Sequence, residues 1–219
     1  MSRPNHHYTT LVWLGAALIL AAGFIRFTGE VLHQPAPGPL DRFAIRTMAE
    51  IRSPGLTGFF LNWTALGSTT LICLHTVIAF ALLMSTGDRA GAAQLAAASG
   101  GAFLLTAWTK ELVERVRPPE PALIDVAGFS YPSGHSLAAA AMYVTMTILA
   151  CRHLPTGRQR VVVSLLAAIV VLGIGVSRVY LGVHYMSDAI SGIVLGTAWA
   201  LALAGVASML EQRGGLPGN

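Results

Sequence analysis

Charge is what this sequence has least of. Asp, Glu, Lys and Arg supply 11% of its 219 residues, less than half of the roughly 25% usual in soluble domains. Hydrophobic residues make up 54% and the mean hydropathy is +0.62, which points away from a soluble globule and toward a polytopic membrane protein. Cysteine is nearly absent. Cys73 and Cys151 both fall inside apolar runs, so they are expected as small core residues rather than as a disulfide. Lysine occurs once, at Lys110, against thirteen arginines. The net charge of +4 is too small and too dispersed for a nucleic-acid partner. No Asp/Glu cluster of metal-ligand type occurs, and no strand-like alternation runs through the apolar stretches.

What is present is a series of apolar runs. A hydrocarbon layer of about 30 Å needs roughly 17 to 25 helical residues to cross it. Six segments come close: 10–27, 65–84, 91–109, 136–151, 161–176 and 189–210. The fourth and fifth are short, so their ends should lie in polar surroundings. The expected fold is all-α, a single domain over 1–219 built as a six-transmembrane-helix bundle. Arg3 ahead of the first run also suits a signal peptide, but Arg26 and Phe27 stand where small residues should precede cleavage, so retention as a span is expected. Between the first two spans, Pro35, Pro37 and Pro39 exclude helix at first. Leu40, Phe43, Ala44, Met48 and Ile51 then recur at helical spacing opposite Arg42, Arg46, Glu50 and Arg52. This predicts an interfacial amphipathic helix over 40–52, either a structural cap or a wall for a lipid substrate.

Six spans put both termini on one side of the membrane. The loop "CRHLPTGRQR" carries Arg152, Arg158 and Arg160 and reads as cytoplasmic. Raw counting is less decisive, with six Arg inside and eight Lys plus Arg outside. Four of those eight, Lys110, Arg115, Arg117 and Arg178, belong to the polar clusters below. The expectation is N-in and C-in.

Three polar clusters then fall at helix ends on the other, extracytoplasmic side. In "KELVERVRPPEP", Lys110 and Arg117 are seven apart, two turns on one face if the helix continues to Pro118. In "YPSGHS", Ser133 and Gly134 can offer backbone N–H groups at a helix start, beside His135. In "SRVYLGVHYMSD", Arg178 adds a third cation, and His184 and Asp188 are four apart. A carboxylate on one ring nitrogen fixes the tautomer and leaves the other as a nucleophile. Each cluster alone has an ordinary explanation: snorkelling cations, a structural histidine, a chance His–Asp spacing. Together they place three cations, two histidines, one aspartate and a glycine turn at one mouth of an apolar bundle. Ionisable groups there are costly and usually functional. Arg and Lys in this mix suit a tetrahedral oxyanion.

These three stretches, "KELVERVRP", "PSGH" and "SRVYLGVHYMSD", closely resemble the signature of the type-2 phosphatidic acid phosphatase superfamily: Lys-x6-Arg-Pro, Pro-Ser-Gly-His and Ser-Arg-x5-His-x3-Asp. Every signature residue is present, in order and at the family spacing, between Lys110 and Asp188. The resemblance implies that His184 is the nucleophile and forms a phosphohistidine, and that Asp188 orients it. It implies His135 as general acid and then base. Lys110, Arg117 and Arg178 would hold the phosphate oxygens with help from Ser133 and the Gly134 amide. Three cations then do what a metal does elsewhere, so no cofactor and no metal are expected. The implied substrates are lipid phosphate monoesters or diphosphates of the bilayer, in the class of phosphatidylglycerophosphate, phosphatidate and undecaprenyl diphosphate. The implied location is the cytoplasmic (inner) membrane with the site facing the periplasm. A lipid-phosphate binding or transport protein is the alternative, although binding alone needs no nucleophile. The vanadate haloperoxidases share the anion site, but six spans set them aside.

The remaining polar residues receive milder expectations. His75 reads as a hydrogen-bonded packing residue in mid-span. Glu111, Glu114, Arg115 and Glu120 read as a solvated rim. Gly173, Gly175, Gly192 and Gly196 read as close-packing positions. Tyr180 and Tyr185 read as interface anchors or pocket walls.

Overall fold

Among the described residues helices alone make up the regular structure, in keeping with the missing alternation. The computed structural model describes residues 6–34, 36–119 and 121–214, so Arg3, Pro35 and Glu120 lie outside the described residues. In chain order the helices are α1 (His6–His33), α2 (Pro39–Glu50), α3 (Pro54–Ala65), α4 (Thr69–Ser85), α5 (Arg89–Val113), α6 (Gly134–His153), α7 (Gly157–Tyr180) and α8 (Met186–Gly214). Among the described residues five of these are long and apolar enough to cross a bilayer, and α3 with α4, bent by 44°, make a sixth candidate when taken as one span. The protein is a multi-pass integral membrane protein.

The helix starts follow from local chemistry. Ser53, Ser68, Asp88, Ser133 and Thr156 each accept a first-turn N–H with their side chains, satisfying donors that have no partner within the helix. Thr156 and Gln159 complete a reciprocal capping box.

Three expectations need correction. The second span does not begin at Ala65. It begins at Pro54 and breaks at 66–68, where the N–H groups of Leu66, Gly67 and Ser68 turn back onto Trp63, Thr64 and Ala65 and Ser68 caps the new helix. The fourth and fifth spans are not short, with 20 and 24 residues. At the motif end, where α6 starts and α7 stops, their polar residues pack against protein, while the ends around 152–160 are polar and exposed; hydropathy alone trims both. In α2, Pro39 opens the helix, since its missing N–H costs nothing at the first position. The packed face of α2 is Asp41, Ala44 and Ile45 with Met48, while Leu40, Phe43 and Ile51 are exposed.

The most enclosed element is α6, buried without interruption from Ser136 to Met142. Helix α8 lies along it and along α1. Small residues make this approach possible: a Cβ on Gly192 would stand 2.5 Å from the Ser133 carbonyl oxygen, and one on Gly196 would collide with that of Leu137. Gly173 similarly admits the Trp63 ring, and Gly175 faces Ile193, as expected of all four glycines. Large apolar side chains such as Ile19, Leu104, Val161 and Leu166 point outward, toward where lipid tails would lie. Cys73 belongs to this outer surface and Cys151 is half-buried. Neither is in the core, because lipid accepts a thiol as readily as packed protein does.

Candidate active site

The carboxyl ends of α5 and α7 and the amino ends of α6 and α8 meet at one end of the bundle, joined by the 114–133 loop and the short 181–185 turn. Lys110 and Arg117 do not share a helix face. Helix α5 stops at Val113 because Glu114 takes a left-handed conformation (φ 49°). Arg117 therefore reaches the site from the loop. Its guanidinium donates to the carbonyls of Gly128 (3.0 Å), Ala127 (3.1 Å), Phe129 (3.1 Å) and Val183 (2.6 Å). Lys110 donates to that same Phe129 carbonyl. The two cations thus meet through one oxygen rather than along one helix.

Arg178, in the last turn of α7, is only 2% exposed. Its Nη1 donates to Thr64 Oγ1 at 2.9 Å, and its buried Nε has no partner. The charge of Arg178 acts on Lys110, His135 and His184. All three predicted cations act on His135, and Arg178 and Arg117 act on His184 as well. The turn that carries His184 needs Gly182, with φ +76°: a Cβ there would come within 2.6 Å of Arg52 Nη2. Arg52 in turn binds the Tyr180 and Pro121 carbonyls, clipping the loop onto the turn.

His184 is buried at the centre. Its Nδ1 lies 3.4 Å from Asp188 Oδ2, and its Nε2 lies 3.4 Å from Arg117 Nη1. Burial pushes the His184 imidazole down to about 4, assisted by Arg178 and Arg117 and opposed by Asp188. At neutral pH it is uncharged, and with Asp188 beside Nδ1 its lone pair falls on Nε2, the nitrogen that faces Arg117. Asp188, fully buried, is held by Arg115 at Oδ1 (2.6 Å) and at Oδ2 by the Tyr185 N–H (3.0 Å) and the Ser130 hydroxyl. His135 is half-buried in the first turn of α6, beneath the α3–α4 corner. Gly67 lies so close there that a Cβ would be 3.2 Å from the His135 carbonyl oxygen.

Ser133 and Gly134 are placed as expected, at the start of α6, but the Ser133 N–H is already taken by the Asp188 carbonyl at 3.0 Å. Ser133 ties α6 to α8 and caps its helix through Oγ. Gly134 touches Thr106, whose methyl would be 2.9 Å from an added Cβ. The preceding Tyr131–Pro132 bond is cis. Tyr131 is buried against Phe24 and bonds Thr28 at 2.8 Å. Burial raises its phenol above the ordinary range.

Arg115 is not part of a solvated rim. It is 4% exposed and bridges two carboxylates, Asp188 at 2.6 Å and Asp41 of α2 at 2.9 Å, with the Tyr185 ring 4.2 Å from its guanidinium carbon. Asp41 also accepts from the Ser187 N–H (2.8 Å) and hydroxyl (2.7 Å). Neither Arg115, Asp41, Ser130 nor Ser187 was singled out from sequence as a site residue. A signal existed for Asp41: it stands at i with Ala44, Ile45 and Met48 at i+3, i+4 and i+7, a carboxylate on a packed stripe. Tyr180 and Tyr185 are buried walls rather than interface anchors; the Tyr180 hydroxyl accepts from the Ser53 N–H at 3.1 Å. His75 is a packing residue, 3.4 Å from the Tyr143 hydroxyl.

Residues 91–211 match the PAP2 superfamily. Phosphatidylglycerophosphatase B of Bacillus subtilis (strain 168) is 30% identical over 174 residues, covering 79% of this chain and 86% of that protein. The crystal structure of a transmembrane PAP2-type phosphatidylglycerolphosphate phosphatase from Bacillus subtilis superposes with a TM-score of 0.82 at 28% identity, over 89% of this chain and 96% of that one. LpxE of Aquifex aeolicus shares the fold, with a TM-score of 0.57 at 21% identity over 75% of this chain and 92% of that one. From the buried His184–Asp188 pair, the surrounding cations and these matches together, the chain belongs to the PAP2 superfamily.

Proposed function

We propose that this protein is a membrane lipid phosphatase that hydrolyses lipid phosphate monoesters or diphosphates through a phosphohistidine on His184. The observation that carries this reading is the neutral, buried His184, backed by Asp188 on Nδ1 and faced by Arg117 on Nε2. In the first step Nε2 attacks phosphorus, and the bond to the lipid oxygen breaks as His135, carrying a proton taken up with the phosphate anion that offsets the surrounding cations, gives that proton to the oxygen. Asp188 holds the Nδ1 proton and stabilises the positive charge that grows on the ring. In the second step His135 takes a proton from water, the water oxygen attacks phosphorus, and the P–N bond breaks. Lys110, Arg117 and Arg178 draw the equatorial oxygens, with the Gly134 amide at the start of α6 and Ser133 holding that helix end in place.

Three side-chain cations at the anion site repel a metal ion and supply its usual charge stabilisation, which supports a metal-independent reaction. The substrate class follows from depth: the site lies at the ends of the spans, where a phosphate headgroup would lie while its tails stay in the bilayer. Phosphatidylglycerophosphate, phosphatidate and undecaprenyl diphosphate are the candidates. With the 151–160 loop cytoplasmic, both termini lie inside and the site opens to the periplasmic face of the inner membrane.

The test is phosphate release by the detergent-purified protein from each of these lipids with chelator present. The expected outcome is turnover of at least one lipid, lost in His184→Ala. No release from any lipid by wild type would overturn the reading.

A further inference from the structure

Asp188 faces a difficulty. Its carboxylate must keep its negative charge toward His184, yet Arg115 pairs with it at 2.6 Å inside protein, with both side chains 3% exposed or less. A buried one-to-one pair of this kind cancels the charge that the imidazole needs. Asp41 changes the balance. It takes the other arm of the same guanidinium at 2.9 Å. It also grips both the N–H and the hydroxyl of Ser187, the residue before Asp188. One cation shared between two carboxylates leaves the trio with one negative charge.

We propose that Asp41, on the interfacial helix α2, is a positioning residue for the reaction: by sharing Arg115 it keeps Asp188 charged toward His184, and by holding Ser187 it sets the carboxylate's direction. This rests on the phosphatase reading above. Asp41 does not touch the reacting atoms; its influence passes through Arg115 and Ser187. The other charged and titratable groups around the His184–His135 pair are Arg178 from α7 and Arg117 from the loop, with Lys110 from α5 on the His135 side. All of them are cationic or neutral. Asp41 is therefore the source of the second negative charge in this cluster, and α2 is joined to the chemistry as well as to the bundle.

The experiment compares wild type, Asp41→Asn, and Asp41→Asn combined with Arg115→Gln, each in detergent with melting temperature recorded. Asn keeps the shape and the acceptor for Ser187 but leaves Arg115 and Asp188 as a neutral pair. Asp41→Asn is expected to lower kcat about tenfold, within the range for groups coupled in one network, with KM changed less than about twofold. Its acid limb in kcat should move to lower pH, since a less negative surrounding makes the imidazole harder to protonate. The double variant restores the single charge on Asp188 and should regain most of the lost kcat. A purely structural Asp41 predicts the opposite, a double variant worse than the single one and an acid limb that does not move. Wild-type kcat in Asp41→Asn would overturn the proposal while leaving the phosphatase reading intact, because that reading is judged on wild type and His184→Ala. Should the double variant not fold, the pH limb and the kcat against KM split of Asp41→Asn decide the matter.

Discussion

Helix α7 changes character along its length. From Val161 to Ile169 its outward side chains are large, aliphatic and exposed. They face where lipid tails would lie, and one aliphatic residue serves there as well as another. Its last turn, Ser177 to Tyr180, is enclosed, and each of its three polar side chains has an assigned partner: Ser177 on the Ile174 carbonyl, Arg178 on Thr64, the Tyr180 hydroxyl at Ser53. The first region asks only for a hydrophobic residue of suitable length. The second asks for one particular atom at one place. The bilayer supplies no net drive for packing apolar helix against apolar helix, so specificity concentrates at the polar end and at the glycine contacts.

The sharpest way to break this contrast is at the polar end. His184→Ala should lower kcat by on the order of 10⁴-fold or more, leaving the melting temperature near wild type. Comparable activity in wild type and variant would remove the proposed nucleophile. Arg178→Lys comes next. Lysine keeps the charge but loses the planar fork and the buried Nε donor, so a fall of about 10²-fold in kcat/KM is expected. Between the two regions stands Gly173→Val, where the added methyls run into the Trp63 indole. Overpacking there should cost roughly 1 to 3 kcal/mol, read as a lower melting temperature, with kcat little changed in the protein that remains folded. Leu166→Ala on the lipid face should change stability by less than about 0.5 kcal/mol.

The pH dependence sharpens the same contrast. The unfolded chain holds this histidine near its ordinary 6.5, whereas burial in the native site lowers it to about 4. Between those values the unfolded state binds more protons than the native one. Stability is therefore fully present above about pH 6.5 and falls as pH drops toward 4. His184→Gln should flatten that loss in a pH series of melting temperatures. Lipid-facing variants should leave it unchanged.

Much of this was legible in the sequence. The apolar runs mark the five long apolar helices and the bent α3–α4 pair, and every residue of the three motifs sits at the same end of the bundle. What escaped was set by contacts distant in sequence or by local backbone geometry. The left-handed Glu114 ends α5 early, so the seven-residue spacing of Lys110 and Arg117 did not mean a shared face. Arg115 looks solvated because its partners are Asp41 and Asp188, both more than seventy positions away. The break at 66–68 falls at the short polar stretch Gly67-Ser68-Thr69-Thr70 between two apolar runs, and averaged hydropathy does not register its 44° bend.

The central claim is a covalent bond between phosphorus and His184. Rapid quenching of the protein with a lipid substrate labelled in its phosphate tests it most directly. The account predicts a transient labelled protein, stable to alkali and labile to acid, with the label on the peptide containing His184 and none in His184→Ala. Steady turnover by wild type with no labelled protein at any quench time, or label on another residue, would contradict it.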